Sequence, residues 1–85
     1  GFTNNVAEVF VVTVEPKPEE EDFFKNIHAG QEFNMILEGS MVLNINGKNL
    51  ILKQGDSIYF DSSLPHGMKA MNNKPVKFLA VILYP

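Results

Sequence analysis

Two histidines and one glutamate are the residues of this chain best suited to metal or acid–base chemistry. Glu32 follows His28 by four residues, with a glycine-containing bend between them, and His66 follows Pro65. Because an even spacing along an extended chain returns side chains to one face, we expect Asn26, His28 and Glu32 to converge. Two imidazoles and a carboxylate on a rigid β scaffold form a divalent-metal site with open positions for water or substrate. The same residue types are also common on surfaces and in hydrogen-bonded cores, so both interpretations stay open at this point.

The elements that must position these residues are predicted to be strands. Short apolar blocks, many of them β-branched, alternate with turn residues at the spacing of an all-β domain, and no stretch has helical periodicity. The count is about eight short antiparallel strands, which is typical of a small closed barrel or jelly roll. The predicted strands outside the hairpin described next cover residues 9–14, 33–37, 57–60, 66–71 and 76–84.

The clearest local signal is Asn46-Gly47, the preferred pair for a two-residue type I′ hairpin turn. If this pair forms the turn, Leu43 lies opposite Leu50 and Met41 lies opposite Leu52. One face of the hairpin is then almost wholly apolar, so the turn and the hydrophobic pattern predict the same register.

The last predicted strand, residues 76–84, is apolar on both faces. Phe78 and Ala80 point one way, and Leu79 and Val81 point the other way. A strand that is apolar on both faces is normally covered on both. We therefore expect a homodimer that covers the second face; the alternative is that the N-terminal segment of the same chain lies over it.

Composition excludes two classes of partner. The seven lysines are scattered, arginine is absent and the net charge is −3. Because binding to a nucleic-acid backbone needs clustered positive charge, we expect no direct nucleic-acid contact by this domain. No apolar run approaches the roughly 20 residues that span a bilayer, so no membrane segment is predicted. The absence of cysteine excludes disulfides and fits a reducing cytoplasm.

The 85 residues are enough for one domain. Since the sequence starts at Gly1 rather than Met, we interpret residues 1–6 as a cloning remnant and leader, and residues 7–85 as the single domain. The acidic run at residues 19–22 is expected to be a solvated loop. A chain this short buries a modest core, so dimerisation or a bound metal is expected to supplement its stability.

The order of residues from Asn26 to Gly39 resembles the first motif of the cupins. That motif has His-x-His, three further residues, Glu, six further residues and Gly, and His28, Glu32 and Gly39 keep this spacing. The stretch at 55–66, which opens with Gly-Asp and ends with Pro-His, resembles the second cupin motif. The resemblance covers residues 7 to 84 and implies a small cupin β-barrel.

A closer resemblance concerns the segments at 31–34, 37–40 and 55–63. They are similar to the C-terminal sensor cupin of bacterial helix-turn-helix transcriptional regulators of the XRE type. This resemblance implies a cytoplasmic, small-molecule-sensing domain that dimerises, with a separate DNA-binding domain that is absent from this sequence. It also implies a divalent transition metal (Zn, Fe, Mn or Ni) on His28, Glu32 and His66, within a ligand pocket formed by Asn26, His28, Glu32, His66 and Met68.

Departures from the cupin pattern leave alternatives open. Asn26 stands where the first motif has its first histidine, and an amide oxygen is a weaker partner for transition metals than an imidazole. Asp61 and Ser63 stand where enzymatic cupins often have Pro and Gly. The pocket therefore holds either a metal or a polar ligand alone. No catalytic residue is assigned, because neither Ser62 nor Ser63 has the setting of an activated nucleophile. The alternative functions are a small metal-dependent enzyme (isomerase, dioxygenase or decarboxylase) and a bare dimerisation domain.

Overall fold

The computed structural model describes residues 6–18, 22–23 and 26–85. The all-β prediction is confirmed, with seven strands in these ranges rather than about eight, and the described residues contain no helix that could cross a membrane. Most of the acidic run and residues 1–5 of the expected leader lie outside the described residues. The strands are β1 (Val6–Val14), β2 (Gln31–Glu38), β3 (Ser40–Ile45), β4 (Lys48–Lys53), β5 (Ser57–Asp61), β6 (His66–Ala70) and β7 (Val76–Tyr84).

The strands form two antiparallel sheets that face each other. One sheet has four strands in the order β1-β7-β2-β5, and the other has three strands in the order β4-β3-β6. Alternate residues of each strand point into the space between the sheets, which is the arrangement of a jelly roll. The core between them contains Ile36, Phe60, Val76, Phe78 and Ala80 from the first sheet, and Met41, Leu43 and Leu52 from the second.

The hairpin predicted around Asn46-Gly47 is confirmed. Asn46 and Gly47 have φ values of 50° and 87°, and a type I′ turn needs positive φ at both central residues. The pairs Met41–Leu52 and Leu43–Leu50 occur in the expected register between β3 and β4. The register of this part of the core therefore follows from local sequence.

Strand β7 lies between β1 and β2, with Phe78 and Ala80 buried on its inner face. On its outer face Leu79 and Val81 are only half-buried and Leu83 is exposed. The N-terminal strand β1 pairs along the side of β7 and so does not cover that outer face. Of the two expectations for this face, coverage by the N-terminal segment is wrong for the described residues.

Gly30 is the glycine whose lack of a side chain the fold needs most. It has φ +107°, a conformation that L-residues rarely adopt, and a Cβ placed on it would overlap the carbonyl oxygen of Leu83. Since Gly30 lies between His28 and Glu32, this close approach brings both residues against β7.

We expect Gly30→Ala to lower the free energy of unfolding by roughly 2–4 kcal/mol, because it adds a backbone collision to the left-handed strain. Gly55→Ala is the matched control: Gly55 has φ +90° with nothing within 4 Å of an added Cβ, so only the strain of about 1 kcal/mol applies. Urea denaturation of both variants measures the difference. Equal losses would contradict the assigned role of the Leu83 contact.

Asn34 is a buried polar residue on the inner face of β2. It is 0 % exposed, and neither atom of its side-chain amide has a hydrogen-bond partner among the described residues. Its cross-strand neighbours are Ile58 and Ala80, so the amide lies among apolar side chains. An unpaired buried amide costs about 1–3 kcal/mol relative to its hydrated state.

We expect Asn34→Leu, which has a similar size and no polar atoms, to raise the free energy of unfolding by about 1–2 kcal/mol. Asn44→Leu serves as the control and is expected to give no such gain, because it removes the 2.7 Å hydrogen bond that the Asn44 amide donates to Asn49. Thermal and urea unfolding are the measurements. A loss of stability in Asn34→Leu would mean that the amide is satisfied by ordered water.

Candidate metal centre

Glu32 is the central residue of the site, and strand pairing fixes its direction. It lies opposite Phe60 of β5 and Ile82 of β7, so it is held by neighbours on both sides. Alternation along β2 then points Glu32, Asn34 and Ile36 inward, and all three are buried. The Glu32 side chain therefore enters the space between the sheets from a strand that cannot move independently.

His28 reaches the same space from the segment that precedes β2. Its backbone N–H donates to the carbonyl oxygen of Ser62 at 3.0 Å, and the Ser62 N–H donates to the Gly30 carbonyl at 3.2 Å. These two bonds extend the pairing between β2 and β5 past the bend at Ala29 and Gly30. Main-chain hydrogen bonds at His28 and at Gly30 therefore fix the position of His28 relative to β5.

His66 is the first residue of β6 and comes from the other sheet. Asn26 and His66 exchange two backbone hydrogen bonds, of 2.7 and 3.0 Å, in an isolated antiparallel bridge. The Nδ1–H of the His66 ring donates to the Leu64 carbonyl at 2.8 Å, because a carbonyl oxygen only accepts. In the neutral ring this bond leaves the lone pair on Nε2, the atom that faces Glu32.

The turn before His66 is stabilised by the two residues that depart from the cupin pattern. Asp61 Oδ1 accepts hydrogen bonds from the Ser63 hydroxyl at 2.6 Å and from the Ser63 backbone N–H at 2.9 Å. The hydroxyl bond, followed by the backbone bond, lowers the pKa of Asp61 below its usual value. Asp61 and Ser63 therefore form a local turn on the surface and take no part in the site.

The structure brings the side chains of His28, Glu32 and His66 together. Glu32 Oε1 lies 3.3 Å from His28 Nε2 and 3.6 Å from His66 Nε2, and the two imidazole rings meet edge to face with centroids 5.2 Å apart. One ligand atom from each residue can be chosen so that all three lie within 4.8 Å of one another. Glu32 and His66 are 4 % and 2 % exposed, and His28 is half-buried.

These three residues fit a divalent metal ion. Ligand atoms bound about 2.1 Å from one ion are roughly 3.0–3.4 Å apart in tetrahedral or octahedral geometry, close to the two distances that Glu32 makes. The lone pair of His66 Nε2 and the Glu32 carboxylate face each other, an arrangement that a cation between them stabilises. Two imidazoles and one carboxylate also leave positions open for further ligands.

Asn26 and Met68 stand at the edge of the same site. By the bridge register Asn26 shares a face with His66 and is exposed, while Met68 follows two residues later on β6 and is half-buried. Both line a cavity of about 310 Å³ together with the three residues of the candidate metal site. A larger depression of about 700 Å³ lies on the outer side of the three-stranded sheet, and none of these five residues lines it.

The apolar residues that form the wall of the cavity were not predicted from the sequence as lining residues. Residue alternation in β1 and β7 would have identified the inner face of each strand, but the cavity also depends on which strands become neighbours. That pairing joins residues about seventy positions apart, such as Phe10 and Ala80. The missed lining residues are Phe10, Val12, Phe78, Ala80 and Ile82.

Glu8 and Tyr84 follow the cavity wall on the inner face of the four-stranded sheet. Glu8 lies opposite Ile82, and Tyr84 is two residues further along β7. A hydrogen bond with Glu8 raises the pKa of the Tyr84 phenol, and the charges of Glu8 and Glu32 act in the same direction. This end of the sheet is therefore electronegative.

Comparison with known proteins finds three similar chains whose names describe different kinds of protein. The oxalate-binding protein of Thermotoga maritima is 39 % identical over 57 residues, which are 66 % of this chain and 47 % of that protein. The iron(II) form of HppE in complex with substrate is 30 % identical with a TM-score of 0.80, over 89 % of this chain and 45 % of that one. An HTH_3 family transcriptional regulator from Vibrio cholerae is 26 % identical with a TM-score of 0.72, over 93 % and 43 %.

The chain spans about half the length of the curated relatives it matches. The family model described as "Cupin domain" matches residues 10–82, nearly the whole chain. The solved structures of similar fold include the cupin domain of an XRE family transcriptional regulator from Enterobacter cloacae, which is 19 % identical with a TM-score of 0.78 over 95 % of this chain and 97 % of that one. With the two-sheet fold and the residues that converge between the sheets, this match shows that the chain belongs to the cupin family.

Proposed function

We propose that this cupin domain binds a divalent transition metal through His28, Glu32 and His66, and that a small ligand binds to the ion in the adjoining cavity. The observation that carries the proposal is the position of Glu32 Oε1 between two imidazole Nε2 atoms at the wall of a cavity of about 310 Å³. A bound ion supplies Lewis-acid attraction for an oxygen atom of the ligand. A small acid is the ligand class indicated by the oxalate-binding relative.

The residues of the chain have distinct parts in this proposal. Glu32 contributes the negative charge, and the Leu64 carbonyl keeps the His66 ring in the tautomer and orientation that direct Nε2 at the site. Met68 lines the cavity with a flexible side chain that adapts to the shape of a ligand. Asn26 offers an amide oxygen at the position where many cupins have a further histidine.

We further propose that the domain is the sensing module of a bacterial transcriptional regulator, which acts in the cytoplasm where its DNA lies. Two features support this role: the likeness to the Vibrio cholerae regulator, of which the chain covers 43 %, and the weakened ligand set at Asn26. A sensor needs reversible binding, and the described residues that line the cavity include no serine, threonine, cysteine or lysine that could act as a nucleophile. Contact with DNA is assigned to a separate domain, because this one has no arginine and a net charge of −3.

A metal-dependent enzyme is the second candidate, and the donor set itself favours it. Two histidines and one carboxylate with open positions are the ligands of non-haem iron oxygenases. The iron(II) form of HppE is also 30 % identical to this chain. A helix-turn-helix segment in the full-length protein would favour the sensor, whereas turnover of a small acid by the metal-loaded domain would favour the enzyme.

We also propose that the domain forms a homodimer through the outer face of the four-stranded sheet. Val9 and Val11 of β1 are 65 % and 60 % exposed on this face, and Tyr59 of β5 is 56 % exposed. Half-buried apolar residues of β2 and β7 lie between these two edges, so the apolar surface is continuous across all four strands. Soluble monomers rarely expose so large an apolar patch. The β2 and β7 residues are Phe33, Met35, Leu79 and Val81.

For the metal site, we expect Glu32→Gln and His66→Ala to abolish Zn²⁺ or Co²⁺ binding, and Asn26→His to tighten it by about tenfold, since it completes a four-ligand set. Affinity is expected to fall on acidification, because a protonated imidazole cannot bind a metal and protons therefore compete with the ion. Competition with a chromophoric chelator measures each constant. Asn49→His, outside the cavity, is the control and leaves the affinity unchanged.

For the dimer, sedimentation at about 10 μM is expected to show a mass near twice 9.5 kDa. Val11→Lys should shift this mass to that of the monomer, because it places a charge in the apolar face. Ile51→Lys is the matched control: Ile51 is 58 % exposed on the outer face of the other sheet, so the dimer persists. A monomeric wild-type protein of normal stability would contradict the proposal.

A further inference from the structure

The cavity beside the metal centre has a charge distribution that restricts what it binds. We infer that the ligand is a singly charged carboxylate with an apolar side group, and that doubly charged acids, oxalate included, are disfavoured, so that this chain differs in its ligand from the oxalate-binding relative. This inference rests on the proposed function, since it names the ligand class of the same site. It depends on the apolar residues that line the cavity and on the lack of basic side chains among its described lining residues.

The charges in the cavity lining favour a singly charged ligand. Apart from the two imidazoles, Glu32 is the only ionisable residue among the described residues that line the cavity, none of these is a lysine, and the chain has no arginine. A divalent ion together with Glu32 leaves one net positive charge, which a single carboxylate neutralises. A second carboxylate would add an unpaired negative charge to a site of low dielectric, where such charges are costly.

The described lysines nearest in sequence to the cavity residues point elsewhere. Lys69 lies next to Met68 on β6, yet its ammonium group lies 4.8 Å from the centre of the Phe23 ring, on the outer side of the three-stranded sheet. Lys77 lies next to Phe78 but pairs with Thr13 on the outer face of the four-stranded sheet. Neither one is available to a second acid group of a ligand.

The electronegative end of the sheet adds to this effect. Glu8 follows Phe10 on the inner face of β1 and lies opposite Ile82, which lines the cavity. The interaction of Glu8 with the Tyr84 phenol, by hydrogen bonding and by charge, raises the pKa of that phenol. A dianion that reaches beyond Ile82 therefore meets a further negative charge rather than a cation.

The apolar wall of the cavity favours a ligand with an apolar side group. Both sheets contribute to it, and most of the cavity lining outside the metal site is hydrocarbon or thioether. Burial of one methylene group in such a wall tightens binding by about fourfold. A volume of about 310 Å³ admits an acid with a side group of a few carbon atoms. The wall consists of Phe10, Val12, Met68, Phe78, Ala80 and Ile82.

The test uses three 2-hydroxy acids with the same chelating head, titrated calorimetrically into the full 85-residue chain loaded with Zn²⁺. Lactate has a methyl side group, 2-hydroxyisovalerate has an isopropyl group, and malate has a second carboxylate. We expect 2-hydroxyisovalerate to bind at least about fivefold more tightly than lactate. Malate is expected to bind at least about tenfold more weakly than 2-hydroxyisovalerate.

A pair of charge variants tests the cause of this selectivity. Phe10→Lys places an ammonium group at the cavity edge, where Phe10 is 42 % exposed, and should improve malate binding relative to 2-hydroxyisovalerate by about tenfold. Ile51→Lys adds the same charge on the outer face of the three-stranded sheet, away from both the cavity and the proposed dimer face, and should leave the ratio unchanged. Thermal unfolding of both variants checks that each one is folded.

The outcomes separate this inference from the proposed function. If the protein does not bind Zn²⁺, the proposed function fails and the inference fails with it. If Zn²⁺ binds but malate binds as tightly as 2-hydroxyisovalerate, or none of the three acids binds, the inference alone is overturned. An unchanged ratio in Phe10→Lys would likewise overturn it, because the assigned electrostatic cause would be absent.

Discussion

The structure depends on one carboxylate held inside a small apolar barrel. Glu32 is 4 % exposed and its Oε1 atom faces two imidazoles rather than a lysine or arginine. Burial of an ionised carboxylate costs several kcal/mol unless a cation or good hydrogen bonds compensate for it. The arrangement around Glu32 thus has the electrostatic character of a cation site. Main-chain contacts hold the three residues of this arrangement in place.

Main-chain contacts fix all three side chains with little help from other side chains. Strand β2 is central in its sheet, so Glu32 is held from both sides, and the absence of a Cβ at Gly30 allows the preceding bend to pack against β7. The Leu64 carbonyl orients the His66 ring, and the bridge to Asn26 joins the start of β6 to the segment before β2. These contacts use backbone atoms, which every residue type except proline provides in full.

The parts of this structure that were predictable from sequence are those governed by short-range rules. The register of β3 and β4 follows from the Asn46-Gly47 turn, since positive φ at two consecutive residues admits few other pairings. The convergence of His28 with Glu32 follows from even spacing, whereas the addition of His66 depended on resemblance to a family motif.

The parts that escaped prediction depend on long-range pairing. No local rule indicates that β1 pairs with β7, and this pairing decides that Phe10 and Val12 line the cavity. The alternative to a dimer, coverage of β7 by the N-terminal segment, is wrong for the described residues for the same reason, because β1 pairs beside β7 instead of packing over its outer face. The charge distribution of the cavity follows from the same pairing, because the pairing decides which side chains line the cavity.

Strand β2 has a further consequence through its alternation. Glu32 points into the metal site, and Phe33, the next residue, points to the outer apolar face. Interior and exterior are therefore separated by the thickness of one polypeptide backbone, with no intervening layer of side chains. A displacement of the Glu32 main chain also displaces Phe33, because the two residues are adjacent on one strand, so the candidate metal site and the outer apolar face share a single structural element.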